Sequence, residues 1–209
     1  MPRTVDHAER RATIVEALLR IAGRDGLHTV TLRGVAAEAG VSLRLVQYYF
    51  HTKQQLLKAT LDQLEHDSRS RWATRLAAIP EPRTARATIE TLLAEALPTD
   101  EPSRTFHVVW TSYAVLAMTD GTLAAQPFVA GPNLLREQLT ALFESARSSG
   151  ELPGHGDSAK EASGLLALAH GLGTSVLVGQ HSPAEAEGVL RYHLDGLFGR
   201  AALTPGKTP

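Results

Sequence analysis

Apolar residues recur along this chain at intervals of three and four and seldom alternate, so the pattern predicts helices from end to end. The first runs from about His7 to Arg24, with Ile14, Ala17, Leu18, Ile21 and Ala22 on one face and Gly26 at its stop. Residues 31–53 predict two short helices joined by a tight turn at Gly40. Thr31 caps the first, whose inward face is Leu32, Val35 and Ala36. Ser42 caps the second, where Val46 and Phe50, four residues apart, point to the core. Thr52 with Gln55 reads as a capping box that opens a fourth helix, which continues to Ile79 and stops at Pro80.

Beyond Pro80 the punctuation stays regular. Pro82 opens a helix ending near Leu97-Pro98, and Pro102 opens another ending at Asp120-Gly121. A broken segment containing Pro127, Gly131 and Pro132 precedes an amphipathic run from Asn133 to Arg147. Ser158 with Glu161, and Ser182-Pro183 with Glu185, read as capping boxes for the last two helices. The penultimate helix, about 158–180, is apolar nearly all round and still carries Gly164, Gly171 and Gly173. Each glycine costs ~1 kcal/mol against alanine in a helix interior, which predicts close packing against another backbone. The last helix supplies Val189, Leu190, Leu194, Leu197 and Phe198. These two helices suit either the interior of one chain or half of a four-helix bundle completed by a second copy. The homodimer is the favoured expectation, with Leu194 in its interface. The fold class is all-α: an N-terminal three-helix helix-turn-helix domain over 1–53, a larger helical domain over 54–200, and a disordered tail over 201–209.

With 43% hydrophobic residues in 209, the chain has material for a sizeable core, and no apolar run approaches a membrane span. Its first residues lack a signal-peptide stretch, so a cytoplasmic location is expected, with no membrane partner. The absence of cysteine excludes disulfides, thiol catalysis and thiolate metal sites. A net charge of -1 hides an asymmetry. Residues 1–55 hold eight Lys and Arg against five Asp and Glu, so a basic end sits on an acidic body, an arrangement that orients a molecule toward a polyanion.

On the second short helix Leu43, Arg44, Leu45, Gln47, Tyr48 and Tyr49 have no evident core to enter. A short helix offering arginine, glutamine and tyrosines outward is a probe for a DNA groove. An enzyme is the remote alternative. Of the nine histidines, no two lie four apart on one helix with a carboxylate partner, and neither a Gly-x-Ser-x-Gly elbow nor a phosphate-cradling glycine loop is present. No cofactor, metal site or catalytic residue is therefore expected.

The segments Thr-Leu-Arg-Gly-Val-Ala-Ala-Glu-Ala-Gly-Val-Ser and Tyr-Tyr-Phe-His-Thr-Lys-Gln-Gln-Leu-Leu, with the spacing of Gly40, Phe50 and Lys53, resemble the TetR family of tetracycline-repressor-like transcriptional regulators. The order Pro102 to Met118, then Ala162 to Leu172, is similar to its choline- and polyamine-regulator-like C-terminal subclass. The resemblance implies a repressor that binds double-stranded DNA as a dimer, with a variable C-terminal domain for a small-molecule effector. By position it places DNA contacts on Thr31, Leu32 and Arg33, on Leu43, Arg44, Leu45, Gln47, Tyr48 and Tyr49, and on Lys53. Gln47 departs from the tyrosine most common there. Arg33 and Arg44 suit bidentate donation to guanine, whereas Lys53, Tyr49, Thr31 and Gln47 suit phosphates; Leu43 and Leu45 suit thymine methyl groups.

For the effector, His107, Trp110, Thr111, Tyr113, Ala114 and Met118 form adjacent stripes of one helix, mostly apolar with a few polar anchors. Phe128, His170 and Gln180 are further candidates. The fourth helix, which starts at Lys53, is the expected lever between ligand and DNA. A DNA-binding dimer without an effector remains the alternative.

Overall fold

The computed structural model describes residues 7–119, 121 and 130–199, and every regular element among them is helical. The order is α1 (His7–Asp25), a 3-10 turn (Leu27–Thr29), α2 (Leu32–Glu38), α3 (Leu43–Phe50), α4 (Lys53–Ala77), α5 (Ala85–Glu95), α6 (Glu101–Thr119), α7 (Ala130–Ser148), α8 (Ser158–Leu177) and α9 (Pro183–Phe198). The all-α expectation is met. Among the described residues no helix is long and apolar enough to cross a membrane. Pro127 and the tail over 201–209 lie outside the described residues.

Local chemistry places most helix ends. Ser182 and Glu185 form the expected capping box at α9, each side chain serving the other's backbone amide. At α8 the cap is Asp157 rather than Ser158: its carboxylate accepts from Ala159 and Lys160 amides, and Glu161 turns to Arg147 at 2.6 Å. An aspartate one residue earlier caps equally well and adds a charge that the helix dipole favours. The Lys160 amide holds the Asp157 carboxyl below its usual range. At α4, Thr52 Oγ1 accepts from the Gln55 amide at 3.2 Å, while the Thr52 amide itself goes to the Phe50 carbonyl. Helix α7 begins at Ala130, before the predicted Asn133, because a proline in a first turn gives up an amide that has no helical partner anyway.

The chain divides into two compact units. The first holds α1 to α3, α4 as far as Ser68, and α6 from Thr105. Its core gathers Ile14, Leu18, Val35, Val46, Phe50 and Leu57 with Val109 and Tyr113 of α6. The unit is thus not the continuous 1–53 segment expected from the sequence. One long and two short helices bury too little surface to stand alone, and α4 and α6 cover what they leave open.

The second unit holds the rest of α4, α5, the start of α6 and α7 to α9. Ile89, Leu93, Leu139, Phe143, Leu165, Leu190 and Leu194 form its core. Leu194 is only 1% exposed there, so it is interior packing and not the interface residue expected from the sequence. Around α8, Leu165, Ala169, Leu172 and Val176 face inward, whereas Gly164, Ala167, Gly171, Thr174 and Val178 are exposed. A Cβ added at Gly164 or Gly171 would meet nothing within 4 Å, so neither is explained by close packing inside the chain. Gly173 alone of the three is buried.

Candidate nucleic-acid interface

The candidate interface is built by two short capped helices. Thr31 Oγ1 accepts from the Gly34 amide at 3.0 Å and Ser42 Oγ from the Leu45 amide at 3.2 Å, fixing where α2 and α3 start. Between them Gly40 takes φ +65, the left-handed conformation that a side chain would strain. Val46 and Phe50 are buried and set the roll of α3. That roll turns Arg44, Gln47 and Tyr48 into solvent, with Tyr48 64% exposed.

Not every residue of α3 lacked a core. Leu43 and Tyr49 are half-buried against the first core, as is Leu32 of α2, and Leu45 is half-buried too. For Tyr49 the neighbour is α1, whose start lies beside the last turn of α3. The His7 Nδ1 and Tyr49 hydroxyl are 2.8 Å apart, and Arg11 donates to the Tyr49 carbonyl at 3.2 Å.

Charge follows the same division. Arg20 and Arg24 of α1 are neutralised by Glu38 and Asp25. The hydrogen bond from Arg20, with Arg24 alongside, holds the Glu38 carboxyl below its usual range. Arg33, Arg44 and Lys53 have no ion-pair partner among the described residues. Each sits in the first turn of its helix, and none of those three turns contains an acidic residue. A cation at a helix N-terminus is opposed by the dipole, while a phosphate there is favoured by both dipole and cation. The arrangement therefore suits an external anion. Arg33 and Arg44 are exposed, Lys53 half-buried, and Thr31 keeps its hydroxyl hydrogen for donation because its oxygen is the cap acceptor.

The residues singled out for a ligand are divided between the units. On α6, His107 and Tyr113 are buried, Trp110, Thr111 and Ala114 half-buried, and Met118 80% exposed. Tyr113 packs within the first core beside Val109. His170 belongs to α8 in the second unit, and Phe128 lies outside the described residues. An open cavity of about 270 Å³ in the second unit is lined by other residues, among them Glu90, Leu93, Leu97, Leu190 and Arg191.

Burial pushes the His170 imidazole below its ordinary value of 6.5. The unfolded chain therefore takes up a proton near that value and the folded chain only at lower pH, so stability is lost as pH falls below about 6.5. His170→Gln is expected to reduce the loss measured by denaturant midpoints between about pH 7.5 and 5; an unchanged difference would acquit His170.

His7 and Arg11 were not found from the sequence. Tyr49 lies 42 residues from His7, beyond any local pattern.

Residues 14–60 match the family model for bacterial regulatory proteins of the tetR family. Residues 85–199 match that for the C-terminal part of BetI-type transcriptional repressors. The HTH-type transcriptional regulator BetI of Burkholderia ambifaria is 31% identical over 176 residues, covering 82% of this chain and 84% of the relative. BetI of Escherichia coli O157:H7 is 28% identical over 173 residues, with the same coverage of 82% and 84%. A putative TetR-family regulator from Rhodococcus sp. superposes with a TM-score of 0.79 at 21% identity, over 91% of this chain and 99% of that one. A putative transcriptional regulator from Saccharomonospora viridis, solved in complex with choline, gives 0.77 at 24%, over 90% and 95%. At such identities the two structures speak for the fold.

Proposed function

We propose, from the premise that this chain belongs to the tetR family of bacterial regulators and carries a BetI-type C-terminal domain, that it binds a two-fold symmetric operator as a homodimer and leaves it when a small molecule binds. The relatives are DNA-binding transcriptional regulators, not enzymes. Operator binding puts the protein in the cytoplasm with the chromosome.

The observation that carries the DNA reading is the set of unneutralised cations, Arg33, Arg44 and Lys53, in first turns without acidic residues. Arg44 would read a guanine edge; Lys53 would hold phosphate. Selection from random duplexes tests both. Arg44→Ala should relax preference at one position of each half-site, with ~1–3 kcal/mol of discrimination lost there. Lys53→Ala should weaken all sequences alike and lower the salt slope by about one per protomer. Unchanged preference, or an unchanged slope, removes the corresponding role.

Dimerisation is supported by the exposed stripe of α8, Gly164, Ala167, Gly171 and Thr174, continued by Val178 at its C-terminal end, and by Val189, Tyr192 and Gly196 on α9. Small residues at three- and four-residue spacing let a second pair of helices approach closely, and Tyr192, 71% exposed, supplies contact area. The effector reading draws on Trp110, Thr111 and Ala114 of α6, the helix that shares a core with α3. A tryptophan ring face attracts a quaternary ammonium, and a structural neighbour was solved with choline, so this class heads the panel to be tried. DNA retained against every member of such a panel would favour a dimer without an effector.

A further inference from the structure

The start of α1 lies outside the helix-turn-helix, yet it grips the end of α3. Arg11 donates to the Tyr49 carbonyl at 3.2 Å, and its guanidinium carbon stands 4.7 Å from the centre of the Phe50 ring. That carbonyl is one of the last four of α3, which have no partner within the helix, and it sits at the negative end of the helix dipole. Four residues before Arg11, His7 places Nδ1 2.8 Å from the Tyr49 hydroxyl, with the two rings edge to face at 5.9 Å. Tyr49 is also edge to face with Tyr48, 5.2 Å away. The phenol is therefore fixed from both sides, and its oxygen has one hydrogen-bond partner already.

We infer that His7 is a positioning residue for DNA binding: its Nδ1–H donates to the Tyr49 oxygen and so leaves the phenolic hydrogen to be donated to a DNA phosphate. The inference rests on the DNA-binding reading above. Its chemistry is a matter of one proton. A hydroxyl has a single hydrogen and can accept as well. If Nδ1 accepts, the Tyr49 hydrogen is spent on His7, and a phosphate, which only accepts, finds no donor. If Nδ1 carries the hydrogen, the chain runs His7 to Tyr49 to phosphate, each group donating to the next. No atom is transferred. DNA selects the arrangement in which Nδ1 is the donor, and α1 becomes part of the binding machinery.

The test is a double-mutant cycle on a duplex recovered by selection with the wild-type protein, scored by affinity, with unfolding midpoints on the same variants. His7→Ala frees the phenolic hydrogen but no longer holds the ring, so binding is expected to weaken about three- to tenfold, at most the worth of one net hydrogen bond, and to be unaffected once Tyr49→Phe has removed the hydroxyl. His7→Asn, whose side-chain amide donates from nearly the Nδ1 position, should restore most of the loss. His7→Asp, which only accepts, should not, beyond any charge effect that persists in the Tyr49→Phe background. Equal losses in both backgrounds, or a loss that follows the unfolding midpoint and is not rescued by asparagine, would overturn the inference. So would wild-type affinity in His7→Ala. A wild-type protein that enriches no sequence would overturn the DNA-binding reading itself, and this one with it.

Discussion

Ala167→Glu is expected to turn the protein into a folded monomer that has lost at least ~100-fold in operator affinity, the scale of benefit that linking two half-site contacts confers. Ala167 is exposed in the middle of the α8 stripe, between Gly164 and Gly171, at both of which an added Cβ meets nothing of its own chain. The free protomer should therefore keep its helicity and its unfolding midpoint. Against a second copy the same glutamate would prop two closely approaching helices apart and bury a charge without a partner, which costs several kcal/mol. Light scattering at micromolar concentration reads the assembly, and operator titration reads the consequence. A retained dimer would place the interface on another face. Tyr192→Asp, on the exposed side of α9, should do the same and guards against a local effect of one position. Leu194→Glu is the wrong probe: with Leu194 buried in its own chain's core, the expected result is unfolding whether or not the protein is a dimer.

The second large effect concerns Tyr113. Its side chain is among the largest fully buried ones, inside the core that also holds Val46 and Phe50 of α3. Tyr113→Ala should cost ~3–5 kcal/mol, the range for deleting a buried aromatic ring, against a total stability of ~5–15 kcal/mol for a domain. The loss should fall on the first unit and abolish DNA binding near the growth temperature. The two tryptophans make this measurable, because Trp110 belongs to the first unit and Trp72 to the second. In a Trp72→Phe background the fluorescence of Trp110 follows the first unit alone. If Tyr113→Ala instead left that transition in place and changed only the response to ligands, the residue would be a pocket wall and not a core member.

These two residues show where sequence reasoning stops. Thr31, Gly40, Ser42 and Ser182 act on backbone groups within two or three residues, so their effects were visible in the chain, as was the three-to-four spacing that builds each helix. The candidate DNA face was legible for the same reason: Val46 and Phe50 set the roll of α3, and the outward positions of Arg44, Gln47 and Tyr48 follow from it. Tyr113 was not legible. Phe106, Trp110 and Tyr113 form an apolar stripe equally suited to a cavity wall or to a core, and periodicity says that a stripe is covered without saying by what. Likewise α8 is apolar on so much of its surface that the spacing of its residues does not tell its inner side from its outer one; Leu165 and Val178 look alike until one is 0% and the other 71% exposed.

The sequence by itself determined that this chain is helical, where most helices begin and end to within about three residues, and that one short helix presents arginine, glutamine and tyrosine in a helix-turn-helix. All of these are set by interactions spanning a few residues. Tertiary structure alone decided that α6 completes the core beneath α3, that Leu194 lies inside while Tyr192 lies outside, and that His7 meets Tyr49. Those outcomes depend on which of several equally apolar or equally polar surfaces meet, a competition among distant segments that is resolved only when the whole chain has packed.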